Sequence, residues 1–318
     1  MTPASMTSLL DVRDLTVAFG ATRAVDRISF SLQPGETLGI VGESGCGKST
    51  MALALMRLLQ GARVTGRAEL AGQDLLALDE RAMRRLRGSE VGMIFQDPMT
   101  ALHPLIRAGD QVAEAIRAHR DISHAAAMRQ ALELFRKVGI AAPEQRLRAY
   151  PHELSGGMCQ RVMIAAAIAC GPRLLLADEP TTALDVTVQA QILELIRDVC
   201  RDSGTAVILI THDLGVVAGQ ADRVCVMYAG RIVEQAATQE LFARPAHPYT
   251  RGLLGSVPSL VDGFDDDLPT IPGSVATAAV EGCPFAPRCP LALARCREEP
   301  PLMPVADQHL AACWRAAA

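Results

Sequence analysis

Lysine is nearly missing from this chain. Of its 31 basic residues only Lys48 and Lys137 are lysines. Basic residues are also outnumbered by 35 acidic ones, giving a net charge of −4. With no basic tail, that balance argues against a dedicated nucleic-acid binder, which needs a positive face to meet phosphate. Long apolar runs are missing too. The longest candidate, "VMIAAAIACGP", falls well short of the roughly 18–20 residues that a bilayer-spanning helix needs. The first residues, "MTPASMTSLLDVRD", lack the basic and apolar regions of a secretory leader. A soluble, cytosolic protein is expected, one that works at a membrane only by docking onto another chain. No internal repeat is visible.

What is present suits a folded enzyme-sized chain. With 318 residues, 49 % hydrophobic and 21 % charged, it can bury a full core, as one large domain plus additions. Nine cysteines in a cytosolic protein should be reduced thiols. Five are scattered and four fall in the last 36 residues.

The patterning alternates between two periods. "LTVAFGATRAVDRISFSL" reads as strands, "PGETLGIVG" as a turn and a buried strand, and "GKSTMALALMRLL" as a helix. "DQVAEAIRAHR" and "AAMRQALELFRKVGI" are amphipathic helices with no strand between them, so residues 98–151 read as a helical insertion. "RLLLADEP" and "TAVILITHD" read as strands, "TVQAQILELIRDVC" as a helix and "DRVCVMYAGRIVE" as a hairpin. Strands alternating with helices imply an α/β fold with a mainly parallel sheet. After Pro248 the text is rich in Pro, Gly and Asp, as in a linker or loop-rich appendage.

"GESGCGKST" at residues 42–50 fits G-x-x-x-x-G-K-S/T between a buried strand and a helix. Gly42, Ser44, Gly45, Cys46 and Gly47 can turn backbone N–H groups toward phosphate oxygens, and the helix start adds its positive dipole end. Lys48 should reach the β- and γ-phosphates, Ser49 should ligate Mg²⁺, and Thr50 completes the motif. Cys46 is expected to face the phosphates and to be open to alkylation. In a chain with two lysines, one stands at this position. "LLLADE" sets Asp178 and Glu179 at the C-terminal end of a strand, where α/β sheets bind ligands. Asp178 would hold Mg²⁺ through water, and Glu179 would deprotonate the attacking water.

Further motifs follow in order. "LSGGMCQR" stands at 154–161, "FQDP" at 95–98, "ALD" at 183–185 and "THD" at 211–213. Singly each is weak: Ser155 could cap a helix and Gln96 could be a loop residue. Together with the phosphate loop they resemble the ATP-binding-cassette ATPases over about residues 10–250. The resemblance implies a P-loop NTPase (RecA-like) core with an antiparallel β subdomain and a helical subdomain. It further implies head-to-tail dimers that sandwich two ATPs. Ser155, Gly156 and Gly157 would bind the γ-phosphate of the partner's ATP, with Asp185 in the D-loop beside them. Gln96 would sense the γ-phosphate and Mg²⁺, and His212 would stabilise charge developing in hydrolysis. Phe19 would stack on adenine, or else belong to the core.

Met158 stands where the signature usually carries Gln. With "VGESGCGKST", "PTTALDVTVQAQIL", "ADRVCVMYAGRIVE" and "HPYTRGLL", it is similar to the ATPase subunits of oligopeptide/dipeptide importers. Membership of that branch implies permease subunits docked on the helical insertion, a second ATPase (a related chain slightly favoured over a second copy) and a substrate-binding protein reached indirectly. It places the chain in the cytoplasm on the inner face of the plasma membrane. The expected boundaries are 8–250 for the cassette, with 98–151 inserted, and 251–318 for the extension. The rival functions are a soluble cassette ATPase acting on nucleic acid or ribosomes, and a cassette that binds without turnover.

The extension reads Cys283-x5-Cys289-x6-Cys296-x16-Cys313. It resembles that branch's cysteine-bearing C-terminus, patterned "GC-F--RC" and closing on "H---CW". Three readings stay open: thiols that pack a small extension, a structural zinc site, and an iron–sulfur cluster. No closely paired C-x2–4-C knuckle favours zinc, four thiolates suit a four-iron, four-sulfur cluster, and some members of the branch carry one.

Overall fold

A computed structural model of the chain describes residues 8–182, 184–256, 271–275 and 281–316. They fall into two units. One comprises Met1–Gln33, Thr37–Ala77 and Leu209–Ala318, the other Pro34–Glu36 and Leu78–Ile208.

In the first unit, β1 (Leu10–Phe19) and β2 (Thr22–Leu32) form an antiparallel hairpin whose apolar residues alternate inward. Next come β3 (Thr37–Val41) and α1 (Lys48–Leu55), then β4 (Arg63–Leu70) and β5 (Gln73–Asp74). β4 pairs with β1, giving a four-stranded antiparallel sheet in the order β2-β1-β4-β5. α1 is shorter than its apolar pattern suggests. It is capped at Met56, and Arg57 follows with φ +51°, a left-handed conformation that a helix cannot contain.

The second unit begins with α2 (Glu80–Leu86) and β6 (Val91–Ile94). Helices α3 (Pro98–Ala101), α4 (Ala108–Arg117), α5 (His124–Lys137), α6 (Pro143–Arg146) and α7 (Gly156–Ile168) follow without an intervening strand, as expected. Ser123 starts α5 by accepting a hydrogen bond from Ala126 N at 3.2 Å. Ala127, Ala131 and Phe135 then recur every four residues along its buried face. β7 (Leu174–Asp178) is buried at every residue and runs parallel to β6. α8 (Val186–Ser203) ends on Gly204 at φ +67°, and β8 (Ala206–Thr211) carries the chain back to the first unit.

There α9 (Leu214–Ala218), β9 (Arg223–Tyr228) and β10 (Arg231–Ala237) follow, then α10 (Thr238–Ala243) and α11 (Pro248–Gly255). β9 runs parallel to β3 and antiparallel to β10. The extension contains two strands that loop-rich text does not announce, β11 (Met303–Ala306) and β12 (His309–Ala311). β12 is too short to show a period, yet it pairs with β10 and β11, continuing the sheet as β11-β12-β10-β9-β3. Among the described residues no helix is long and apolar enough to cross a membrane.

Candidate functional site

The phosphate loop joins β3 to α1. Gly47 has φ +104°, and a Cβ there would run into the Ala24 carbonyl. At Gly42 a Cβ would meet the Met227 carbonyl. Both positions therefore need glycine for close backbone approach. No side chain caps the start of α1, and its first turn holds no acidic residue. The opening N–H groups and the positive end of the helix dipole are left facing the loop, an arrangement that fits an anion. Lys48 is 4 % exposed, and its Nζ donates to Gly42 O at 2.7 Å and Glu43 O at 3.0 Å. Ser44 and Gly45 are exposed, and Ser49 and Thr50 are half-buried on the first turn of α1.

Cys46 departs from expectation. It is 1 % exposed, and burial pushes its thiol up in pKa. The thiol points into the fold, so the anticipated phosphate-facing, readily alkylated group does not exist, and only the backbone of Cys46 belongs to the loop.

In the second unit, Asp178 is buried at the end of β7 and Glu179 follows with φ +44°. Such a conformation is uncommon for a side-chain-bearing residue and clusters at functional sites. Gln96 Nε2 donates to Glu179 Oε2 at 3.1 Å and Thr182 Oγ1 donates to the same oxygen at 2.9 Å. Gln160, buried on α7, donates to Pro180 O at 2.5 Å and fixes the turn from beneath. Gln96, Asp178 and Glu179 are thus gathered as the sequence suggested. Thr182 and Gln160 are additions that only the fold reveals.

Ser155 caps α7, its Oγ accepting from Met158 N at 3.3 Å. Gly156 is open on its Cβ side, whereas Gly157 would bring a Cβ to 3.2 Å from Val188. Asp185 caps α8 by accepting from Val188 N at 2.9 Å. Ala183 of the same motif lies outside the described residues. In the first unit, His212 is exposed just beyond β8. Phe19 is 40 % exposed at the end of β1, which removes the simple core role.

The four tail cysteines line one cavity, walled by Phe285 and Trp314. All are free thiols. Burial raises the pKa of Cys283 and Cys289, and the neighbouring Cys296 and Cys313 add to the rise. Among the described residues, no three His, Cys, Asp or Glu side chains are placed to hold a metal ion. The expected iron–sulfur or zinc centre therefore has no preformed ion cage here, only a shared donor set.

Comparison with known proteins follows the same division. The family "ABC transporter" matches residues 25–182, and "Oligopeptide/dipeptide transporter, C-terminal region" matches 233–296. A probable peptide ABC transporter ATP-binding protein of Sinorhizobium fredii is 56 % identical over 317 residues, covering 96 % of this chain and 95 % of the relative. The oligopeptide transport ATP-binding protein OppD of Salmonella typhimurium is 49 % identical, covering 96 % of this chain and 93 % of its own. Among solved structures, a dimeric ATP-binding cassette in a post-hydrolysis state with ADP and Pi matches with TM-score 0.65 and 27 % identity, over 72 % of this chain and 98 % of that one. With both regions matched and near-complete alignment to its relatives, the chain belongs to the ATP-binding-cassette transporter ATPases, in the oligopeptide/dipeptide branch.

Proposed function

We propose that the chain hydrolyses ATP to drive uptake of a peptide-type solute through a separate membrane-spanning permease. The observation that carries this is the uncapped start of α1 behind a glycine loop, with buried Lys48 as its cation. Full-length likeness to proteins named as peptide ABC transporter ATP-binding subunits supports the solute class. Nothing in the comparisons favours the nucleic-acid or ribosome alternative.

In this reading Gly42–Thr50 and Phe19 hold ATP. Ser49, Gln96 and Asp178 hold Mg²⁺, which when bound neutralises charge on the β- and γ-phosphates. Glu179 accepts the proton of the attacking water, and His212 stabilises the developing charge. Ser155, Gly156, Gly157 and Asp185 serve the nucleotide of a partner cassette. A related second chain is the favoured partner. Residues 8–250 act as the cassette and 98–151 receive the permease. Exposed Phe95, Met99 and Leu105 support a docking surface at the start of that segment. The protein would then sit peripherally on the inner face of the plasma membrane.

The test is uptake of labelled di- and oligopeptides in a strain lacking this chain. Restoration by the wild-type chain is expected. No restoration, together with co-purification of nucleic acid, would transfer the protein to the rival class.

The finer proposal for residues 251–318 is that Cys283, Cys289, Cys296 and Cys313 hold a four-iron cluster. Four free thiols on one cavity support it, because a cluster is larger than one ion and accepts thiolates that stand further apart. Such a group supplies a fixed cross-link between the tail's loops. Anaerobic purification should give about four irons per chain and broad visible absorption, both lost in Cys289→Ser. Colourless, iron-free protein that still turns over ATP would leave the thiols as packing.

A further inference from the structure

Glu43 is an anomaly in the phosphate loop. A carboxylate in an anion-binding loop repels the ligand, so something must cancel it. The cancelling group comes from 245 residues further along the chain. Arg288 Nη1 donates to Glu43 Oε2 at 2.9 Å. The Arg288 side chain is 8 % exposed and that of Glu43 26 %, so the pair is shielded beyond an ordinary surface ion pair.

The guanidinium is held on every side. Its Nε donates to Pro272 O at 2.7 Å, and Nη2 to Ile271 O at 3.2 Å and Gly273 O at 3.4 Å. Nη1 also reaches Tyr228 OH at 3.4 Å. Five donors meet five acceptors, the rigid fork geometry that arginine offers and lysine does not. Residue 43 is gripped at its backbone as well. Glu43 N donates to Tyr249 OH at 2.9 Å, and burial raises the Tyr249 pKa so that the phenol stays neutral. Tyr228, Tyr249 and buried Phe285 pack edge to face with ring centroids 4.7–5.4 Å apart. Phe285 and Arg288 are the two constant letters between the cysteines in "GC-F--RC", and the ATP site as described above gives them no task.

We propose that Arg288 is a positioning residue for nucleotide binding: the extension reaches back and clasps the phosphate loop, neutralising Glu43 and fixing its place. This rests on the loop being the ATP site. The clasp makes the extension part of the nucleotide machinery rather than an appendage.

The test is a double-mutant cycle on the full chain, read as ATP affinity and as KM against kcat. Arg288→Met should raise the Kd for ATP about tenfold at low salt, with kcat at saturating ATP within about twofold. The shift should shrink at high ionic strength, because repulsion by an uncovered carboxylate is screened within about 10 Å at 0.1 M salt. In the Glu43→Gln background, Arg288→Met should cost about twofold or less. Glu43→Gln alone keeps an acceptor for Arg288 and should not weaken binding, and it serves if Arg288→Met does not fold. An equal loss from Arg288→Met in both backgrounds, or weakening by Glu43→Gln alone, would overturn the clasp. Wild-type protein that binds no ATP would remove the loop assignment and the clasp together. Wild-type binding unaltered in Arg288→Met would remove the clasp alone.

Discussion

Glu179→Gln is expected to slow ATP hydrolysis by about 10²–10⁴-fold, the scale for losing a general base, while ATP still binds. The substitution keeps size and shape. The amide retains an oxygen that can accept from Thr182, whose hydroxyl now lies 2.9 Å from the carboxylate. The turn is held independently of that carboxylate, by Gln160 on Pro180 O and by Thr182 N on Glu179 O at 3.2 Å. What changes is basicity, since an amide cannot take a proton from water. A chain that binds ATP but cannot hydrolyse it should accumulate as an ATP-bound dimer. Single-turnover hydrolysis and size-exclusion chromatography with ATP measure the two effects. Turnover near the wild-type rate would strip Glu179 of the base role. The strained φ of +44° would then need another explanation, because holding such a residue costs on the order of 1–3 kcal/mol.

The core of this arrangement was legible because it is written locally. A buried strand, a glycine loop and a helix occupy adjacent residues in 37–55, and so do β7 and its terminal Asp178–Glu179 pair. The helical run after β6 was legible for the same reason, since α4 and α5 carry their apolar stripes within single elements. Contacts between distant segments were not legible. No local pattern shows that Arg288 meets Glu43, or that Tyr249 accepts from its backbone. β11 and β12 escaped because strands of four and three residues show no period, and their existence depends on the free edge of β10. Cys46 was misjudged because motif spacing places a backbone without saying which way a side chain turns. Ser155 and Asp185 hold capping roles, which Ser and Asp before a helix often do, and a capping role leaves room for a second task.

Lys48→Ala should raise the Kd for ATP by about 10²-fold or more and abolish uptake. Hydrogen bonds to a charged group contribute about 1.5–3 kcal/mol each, and every 1.4 kcal/mol is tenfold in affinity. A lysine with two such bonds to phosphate oxygens therefore accounts for roughly 10²–10⁴. Its present acceptors, the Gly42 and Glu43 carbonyls, are neutral groups that a truncated side chain leaves facing one another across the loop. The chain supplies its own control. The other lysine, Lys137, lies on the last turn of α5, outside the proposed site, so Lys137→Ala should bind ATP as the wild type does. Isothermal titration of both variants, followed by peptide uptake in the complemented strain, separates loss of the cation from loss of lysine in general. Unchanged affinity in Lys48→Ala would mean that the loop does not carry the nucleotide, and the assignment of Gly42–Thr50 would fall with it.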